Sequence, residues 1–204
     1  MGFYEGSPTL NYPRQLSAGM GRKLQPDEFR ENVLSSSMQY SGRAVRLRVD
    51  RVRLPSGRET SREIIEHPGS VGILPLLTGN RLLLIRQYRH AVGGTIWEIP
   101  AGTMEPGETP MECAGRELEE ETGYRAKSLK PLFDCYAAPG YSMELMHVFL
   151  ARRLRPTEQR PEEDEIISVE PVGSEKAFRM IRSGQIRDAK TICALSYFRA
   201  SARR

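Results

Sequence analysis

The sequence predicts a mixed α/β sandwich preceded by extra strands, and three observations lead to that prediction. Short apolar runs of strand length follow one another along most of the chain, separated by turn residues. One helix with clear start and stop signals lies among them at 109–122, and two further helical segments come at the end. Strands that enclose a helix and are followed by more helices are typical of a layered α/β domain.

The N-terminal part of the chain predicts an arm and then a hairpin. Residues 1–40 carry Gly, Pro, Ser and scattered charges without periodicity, which predicts a flexible or loosely docked arm with a short helix over 26–34. In "RAVRLRVDRVRL" (43–54) apolar residues alternate with Arg and the phase slips at Asp50-Arg51, so we expect a half-buried strand with a bulge. After the turn "PSG", "RETSREIIEH" continues as a second strand. These signals predict a β-hairpin extension at 41–68, ahead of a main domain at 69–204.

The main domain reads as strands around one helix. Apolar runs at 69–77 and 81–88 flank "TGN", which is a hairpin signal. "TIWEIP" (95–100) is a short strand before the helix, and further strands are expected near 129–137, 144–151 and 165–172. Ser174 is the expected N-cap of a helix that continues to about 183, and a last helix covers about 188–200.

Composition is that of an ordinary globular protein. With 30 Lys and Arg against 26 Asp and Glu, the formal net charge is +4. The Arg residues are scattered and not interleaved with aromatic residues, so no nucleic-acid partner is predicted, and a small phosphorylated substrate explains the charge equally well. Cys113, Cys135 and Cys193 lack metal-ligand spacing and are expected to be reduced core residues. No run approaches a membrane span, and a cytoplasmic protein without a membrane partner is expected.

The helix at 109–122 ends in an unfavourable arrangement of charge. The segment 109–112, "TPME", is a capping-box start, and Gly123 marks the end of the helix. Glu117, Glu120 and Glu121 share one face of the last turns, where the helix dipole is already negative. Like charges at these spacings cost roughly 0.2–0.5 kcal/mol per pair. One interpretation of this face is a solvated surface.

A bound divalent cation is the other interpretation. Met111, Ala114 and Leu118 form an apolar stripe that holds the helix against a core, and the loop "AGTMEPGE" brings carbonyls and more carboxylates to its start. Hard cations such as Mg²⁺ take oxygen ligands of this kind together with water and substrate phosphates. Because a metal would convert the repulsion into coordination, this face is a candidate metal site.

The segment 102–124 resembles the Nudix box at every fixed position. The fixed residues are Gly102, Glu108, Arg116, Glu117, Leu118, Glu120, Glu121, Gly123 and Tyr124. The resemblance implies an α/β/α sandwich of mixed sheets and a hydrolase that cleaves a nucleoside diphosphate linked to another moiety. It implies two or three Mg²⁺ ions, with Mn²⁺ as an alternative, held by Glu117, Glu121, Glu120 and the Ala101 carbonyl. Arg116 then orients the helix carboxylates, a role that suits a bidentate guanidinium.

Three stretches outside the box resemble the ADP-ribose pyrophosphatase subfamily. They are "RVRLPSGRETSREIIEHPGSV", "IRQYRHAVGGTIWEIPAG" and "APGYSMELMHVFLA". The first resembles N-terminal strands that usually pair across a homodimer, and the third contains Pro139 and Gly140, which belong to the implied substrate-binding set. The implied reaction converts ADP-ribose to AMP and ribose 5-phosphate. GDP-mannose or another nucleotide sugar is the alternative substrate, and a sensor that binds ADP-ribose without cleaving it is the non-enzymatic alternative.

The same resemblance implies further substrate contacts. Arg89 matches a position that contacts the phosphates or the terminal ribose. Glu98 points away from its apolar neighbours and either accepts hydrogen bonds from ribose hydroxyls or faces water. Arg62 and Glu63 match hairpin positions that reach the nucleotide from the neighbouring subunit, and exposed hairpin charge is the alternative.

The expected general base is Glu144. It follows Pro139-Gly140 in a loop where the subfamily often places the carboxylate that activates the attacking water. An acidic residue commonly precedes that carboxylate, whereas this chain has Met143. Glu120 is the reserve candidate for the base.

Overall fold

The computed structural model describes residues 26–201 of the chain. Within that range the elements are β1 Asn32–Ser41, β2 Arg46–Arg53, β3 Glu59–Glu66, β4 Ser70–Pro75, β5 Arg81–Arg89, β6 Gly94–Glu98, β7 Ala101–Thr103, α1 Pro110–Thr122, β8 Tyr124–Tyr136, β9 Leu145–Pro156, β10 Ile167–Gly173, α2 Ser174–Arg182 and α3 Ala189–Ser201. Two 3-10 turns occur at Pro26–Phe29 and His90–Val92. No helix in this range is long and apolar enough to cross a membrane.

The strands form three sheets. The four-stranded sheet has the order β7-β4-β9-β8, and its β4–β9 pair is parallel while the other pairs are antiparallel. A three-stranded antiparallel sheet has the order β10-β5-β6. The N-terminal strands form a separate antiparallel sheet, β1-β2-β3.

The core forms on both sides of the four-stranded sheet. Because side chains alternate along a strand, Val71 and Phe149 pack against Leu118 of α1, whereas Leu74 and Val148 face β5, α2 and α3. Helices therefore cover both outer sides of the sheets. This confirms the predicted mixed α/β sandwich and places the acidic face of α1 beside β7.

The N-terminal region corrects three predictions. The prediction of a helix over 26–34 is wrong, because only Pro26–Phe29 forms a short 3-10 turn. Strand β1 begins at Asn32 and pairs along the whole of β2. The extension is therefore a three-stranded sheet rather than a hairpin, and the boundary placed at residue 40 falls inside β1; residues 1–25 lie outside the described part. The register shifts occur in β1, whereas β2 pairs with β3 without interruption.

The apparent phase slip in β2 has an electrostatic explanation. Asp50 points inward and is buried, and Arg48 on the same face donates to it over 2.9 Å. The Ser36 hydroxyl and the Arg48 guanidinium hold the pKa of Asp50 below its usual range. The inward and outward side chains of β2 therefore alternate without a bulge, because the inward carboxylate of Asp50 is paired with Arg48.

Two smaller predictions are also wrong. Ser174 is the first residue of α2 rather than its cap, and its hydroxyl instead accepts a hydrogen bond from Asn80 over 2.6 Å. Cys193 is exposed on α3 and is not a core residue, whereas Cys113 is buried and Cys135 half-buried.

Candidate active site

Helix α1 is anchored at both ends, which fixes the acidic face in space. The predicted capping box is present: the Thr109 hydroxyl accepts from the backbone N–H of Glu112, whose carboxylate accepts from the N–H of Thr109. At the other end Gly123 adopts a φ of 67°, and the segment 157–160 caps the last turn. Its donors satisfy the carbonyls of Glu120, Glu121 and Gly123 at 2.7–2.9 Å.

Arg116 organises the carboxylates around the start of the acidic face. Its Nε and Nη2 donate to the two oxygens of Glu108 at 2.9 and 3.0 Å. Its Nη1 donates to Glu117 at 2.7 Å and to Glu120 at 3.0 Å. The bidentate contact holds the pKa of Glu108 at about 2, well below its usual range. This geometry is that expected of the residue that orients the box carboxylates.

Glu117 is seated directly against the backbone of β7. A Cβ added to Gly102 would lie 2.0 Å from Cδ and Oε1 of Glu117, so only glycine leaves room for this carboxylate. Burial raises the pKa of Glu117, and Arg116 opposes that rise. Gly102 is thus required here by a close approach of a side chain rather than by its backbone angle.

Glu121 lies deeper than the other two glutamates of this face. Its side chain is buried, and one oxygen accepts the backbone N–H of Ala101 over 2.9 Å. Burial raises its pKa to about 8. A carboxylate that burial disfavours in its charged form is a place where a cation would be stabilised.

A cleft of about 490 Å³ opens beside this face. Its wall includes the backbone of β7 with Ala101 and Gly102, three cations and six carboxylates. The cations are Arg89, Arg116 and Lys190, and the carboxylates are Glu105, Glu117, Glu120, Glu144, Glu162 and Glu165. The structure therefore brings six of the sequence-predicted site residues to one cavity: Arg89, Ala101, Arg116, Glu117, Glu120 and Glu144.

Glu144 is positioned in the cleft wall by a side-chain contact and by backbone contacts of its loop, neither of which the sequence revealed. The Ser70 hydroxyl donates to its carboxylate over 2.7 Å. The loop that carries it is joined to β3, since Ile65 donates to the carbonyl of Tyr141 and accepts from the N–H of Met143 at 2.7 and 3.0 Å. The N-terminal sheet therefore supports the loop of the predicted general base.

The remaining predicted substrate residues do not line this cavity. Glu98 is 1% exposed and binds Arg89 and Lys190, so its carboxylate faces neither water nor the open cleft. Arg62 pairs with Glu31 over 2.6 Å, and Glu63 is exposed on β3. Pro139 and Gly140 are exposed in the loop before Glu144. Contacts of these residues with a substrate remain predictions.

Three charged cleft residues were not predicted from the sequence. Glu162 and Glu165 belong to the acidic run "EEDE" in the loop between β9 and β10, whereas the sequence predicted only a strand near 165–172 there. Lys190 lies at the start of α3 and has no local pattern that marks it. Only the run of four acids offered a signal that could have been used.

The comparisons with known proteins agree with this geometry. The model of the NUDIX domain family matches residues 66–195, which is more than half of the chain. This chain belongs to the Nudix family. The intact box, now seen as a helix that turns its glutamates toward a cleft, makes it a Nudix hydrolase.

The chain is similar to several named proteins. It is 41% identical over 169 residues to the ADP-ribose pyrophosphatase of Bacillus subtilis (strain 168), covering 82% of this chain and 91% of the relative. It is 37% identical over 171 residues to the methanol dehydrogenase activator of Bacillus methanolicus, covering 83% of this chain and 92% of that relative. A solved structure described as an ADP compounds hydrolase shares its fold with a TM-score of 0.77 at 23% identity, covering 85% of this chain and 95% of that one.

The donors of the Nudix box fit a hard divalent cation by their chemistry. Among residues 26–201 no group of three acidic, His or Cys side chains is gathered closely enough to hold an ion as it stands. The reason is visible: Glu117 and Glu120 are turned to Arg116, and Glu121 to the N–H of Ala101. These three glutamates offer oxygen ligands on or just behind one cleft wall, which suits a hard divalent cation. The space left by Gly102 for the Glu117 carboxylate supports this fit.

Proposed function

We propose that this Nudix hydrolase cleaves the diphosphate of a nucleoside diphosphate sugar, with ADP-ribose as the preferred substrate and AMP and ribose 5-phosphate as products. The observation that carries the proposal is the shared cleft, which Glu117 and Glu120 of the box helix line together with Arg89 and Glu144. The name of the Bacillus subtilis relative, which aligns over most of both chains, supports ADP-ribose over GDP-mannose.

The box residues are the proposed holders of Mg²⁺. Glu117, Glu120 and Glu121, with the carbonyl of Ala101, would bind two or three ions, and Mn²⁺ is the alternative. Ions bound there would neutralise diphosphate oxygens and lower the pKa of a bound water. Arg116 keeps Glu117 and Glu120 in place beside the cleft, and a lysine would lack the two-pronged contact with Glu108 that anchors it.

Arg89 is the proposed phosphate contact. Its Nε and Nη2 are directed to Glu98 at 2.7 and 3.1 Å, while its Nη1 makes no hydrogen bond to the described residues. A guanidinium held by a buried carboxylate at one edge presents its other edge in a fixed direction. That edge is suited to a diphosphate oxygen.

Glu144 is the proposed general base that accepts the proton of the attacking water. The Ser70 hydroxyl fixes its direction, and its place in the cleft wall supports the role. Glu165 lines the same cleft and competes for this assignment, and Glu120 remains in reserve. The variants Glu144→Gln and Glu165→Gln distinguish these two candidates. The base is the residue whose substitution lowers kcat at least about a hundredfold.

We further propose a homodimer formed through the N-terminal sheet. Every residue of β1 is exposed in the single chain, including Val33, Met38 and Tyr40. A long edge strand with exposed apolar side chains on both faces is a surface that natural proteins cover. In this proposed dimer, Arg62 and Glu63 would contact the nucleotide bound by the neighbouring subunit, as the resemblance to the subfamily implies. The molar mass in solution, measured by light scattering, tests this: the wild type should be a dimer and Met38→Asp a monomer. A monomeric wild type would refute the proposal.

The test of the proposed activity is a substrate panel with Mg²⁺ that contains ADP-ribose, GDP-mannose, a diadenosine polyphosphate and 8-oxo-dGTP. We expect ADP-ribose to be hydrolysed fastest, with AMP as a product. Glu121→Gln should lower kcat by about three orders of magnitude without loss of fold, because it removes a metal ligand. The matched control is Glu119→Gln, since Glu119 pairs with Arg125 and does not line the cleft.

Three outcomes of these experiments would contradict the proposal in different ways. Preferred turnover of GDP-mannose would keep the reaction and change the substrate. Binding of ADP-ribose without turnover of any compound would indicate a sensor. A fully active Glu121→Gln enzyme would remove the box from the chemistry.

A further inference from the structure

Lys190 is a cleft cation that neither the box nor the outer motifs include. It lies at the start of α3, and its side chain is 15% exposed in the cleft wall. Of the three cations that line this cleft, Arg116 is committed to Glu108, Glu117 and Glu120. The capacity to receive an anion therefore rests on Arg89 and Lys190.

A buried carboxylate holds these two cations together. Glu98 accepts from Nε and Nη2 of Arg89 at 2.7 and 3.1 Å and from Nζ of Lys190. Glu98 has 1% of its surface exposed, and both of its oxygens already have donors. Burying this charge is tolerable only because two cations meet it.

The start of α3 is fixed from the other side by Asp188. One of its oxygens accepts from Lys190 over 3.0 Å, and the other caps the helix by accepting the N–H and hydroxyl of Thr191 at 2.9 and 2.6 Å. The Thr191 hydroxyl in turn accepts the N–H of Ile99, at the end of β6, over 2.7 Å. The ammonium group of Lys190 is therefore held in position before any ligand arrives.

The donor count leaves capacity for a ligand. An ammonium group has three N–H donors, and Glu98 and Asp188 take two of them. Arg89 uses two of its five on Glu98. The wall carries six carboxylates against three cations, so a diphosphate needs these remaining donors in addition to any metal.

We propose that Lys190 is a substrate-binding residue that, together with Arg89, receives the non-bridging oxygens of the diphosphate. Glu98 and Asp188 are positioning residues that hold the two cations. The identity of the whole substrate rests on the proposed function, whereas the binding of a diphosphate group by Lys190 can be tested without it.

The test compares Lys190→Met, which keeps the length and removes the charge, with Lys190→Arg, which keeps the charge. With ADP-ribose and Mg²⁺, we expect Lys190→Met to raise KM at least about tenfold, as for a lost charge-assisted hydrogen bond, with a change in kcat of less than about threefold. Because Lys190→Arg keeps the charge, its KM should lie between that of the wild type and that of Lys190→Met. Lys176→Met on the exposed face of α2 is the control and should match the wild type.

A purely structural role for Lys190 gives a different pattern. It would lower the melting temperature of Lys190→Met, because Glu98 loses a partner, and leave KM unchanged; that result overturns the proposal. Inorganic pyrophosphate is the second probe, with its binding measured calorimetrically in Mg²⁺. We expect about tenfold weaker binding to Lys190→Met, and equal binding would also overturn the proposal. If the wild type hydrolyses no nucleotide sugar but pyrophosphate still distinguishes the variants, the proposed function fails and this inference stands.

Discussion

Replacing Gly102 by alanine would insert a methyl group into space that the Glu117 carboxylate occupies. The new Cβ would lie 2.0 Å from Cδ and Oε1 of Glu117 and 2.5 Å from Oε2, whereas ordinary contacts begin at 3.4 Å. The carboxylate must therefore retreat by more than an ångström. The colliding atoms are the far end of a flexible side chain, so Glu117 is expected to move and the backbone to stay.

The expected result is a loss of activity with little loss of stability. A displacement of about 1 Å at a catalytic group costs on the order of a hundredfold in rate, so kcat for ADP-ribose should fall by about that factor. The free energy of unfolding, measured in urea, should change by less than about 1 kcal/mol because no buried contact is lost. Gly115→Ala is the matched control. Its Cβ would lie 3.8 Å from Leu129, and it should stabilise α1 by about 0.5–1 kcal/mol without changing kcat.

A double-mutant cycle tests the cause of the loss. Glu117→Asp shortens the side chain by one methylene group and gives the new methyl group room. If the collision is responsible, Glu117→Asp should cost less in the Gly102→Ala background than in the wild type. Additive losses, or a Gly102→Ala enzyme with full kcat, would refute the reasoning. A Gly102→Ala protein that unfolds would show that the backbone, and not Glu117, gives way.

Three further predictions concern the frame of the site. Because the pKa of Glu108 is lowered to about 2 by Arg116, its charged form stabilises the fold above the unfolded pKa near 4.5, and that stabilisation is lost as pH falls toward 2. Glu108→Gln should therefore cost at most about 3 kcal/mol of unfolding free energy at pH 7 and less at pH 4; an equal cost at both pH values would contradict this. Ser70→Ala removes the 2.7 Å hydrogen bond to Glu144 and should lower kcat about fivefold, and unchanged kinetics would weaken Glu144 as the base. Thr109→Ala should cost about 1 kcal/mol in thermal unfolding through the lost N-cap while kcat stays constant, and no loss of stability would show that the cap is not needed.

The elements that the sequence determined by itself are those governed by local spacing. The capping box, Gly123 and the three-and-four spacing of Glu117, Glu120 and Glu121 specify a helix with one acidic face, and the structure has that helix at Pro110–Thr122. The same holds for β4, β5, β6 and β9, whose apolar runs mark them, whereas β7 was not predicted and β8 begins at Tyr124, before the expected start near 129. Local backbone geometry alone turns these spacings into shared faces, so no distant contact is needed to predict them.

Other features depended on contacts between distant parts of the chain. Strand pairing drew residues 32–41 into a sheet although their sequence carries no clear period. The packing of α3 on the end of β6 brought Lys190 to Glu98 and placed that carboxylate in a buried ion pair. Ser70 reached Glu144 across 74 positions of sequence in the same way. Burial and pairing of a charge are properties of the packed layers, so only the tertiary structure could decide which carboxylates face the cleft and which support its cations.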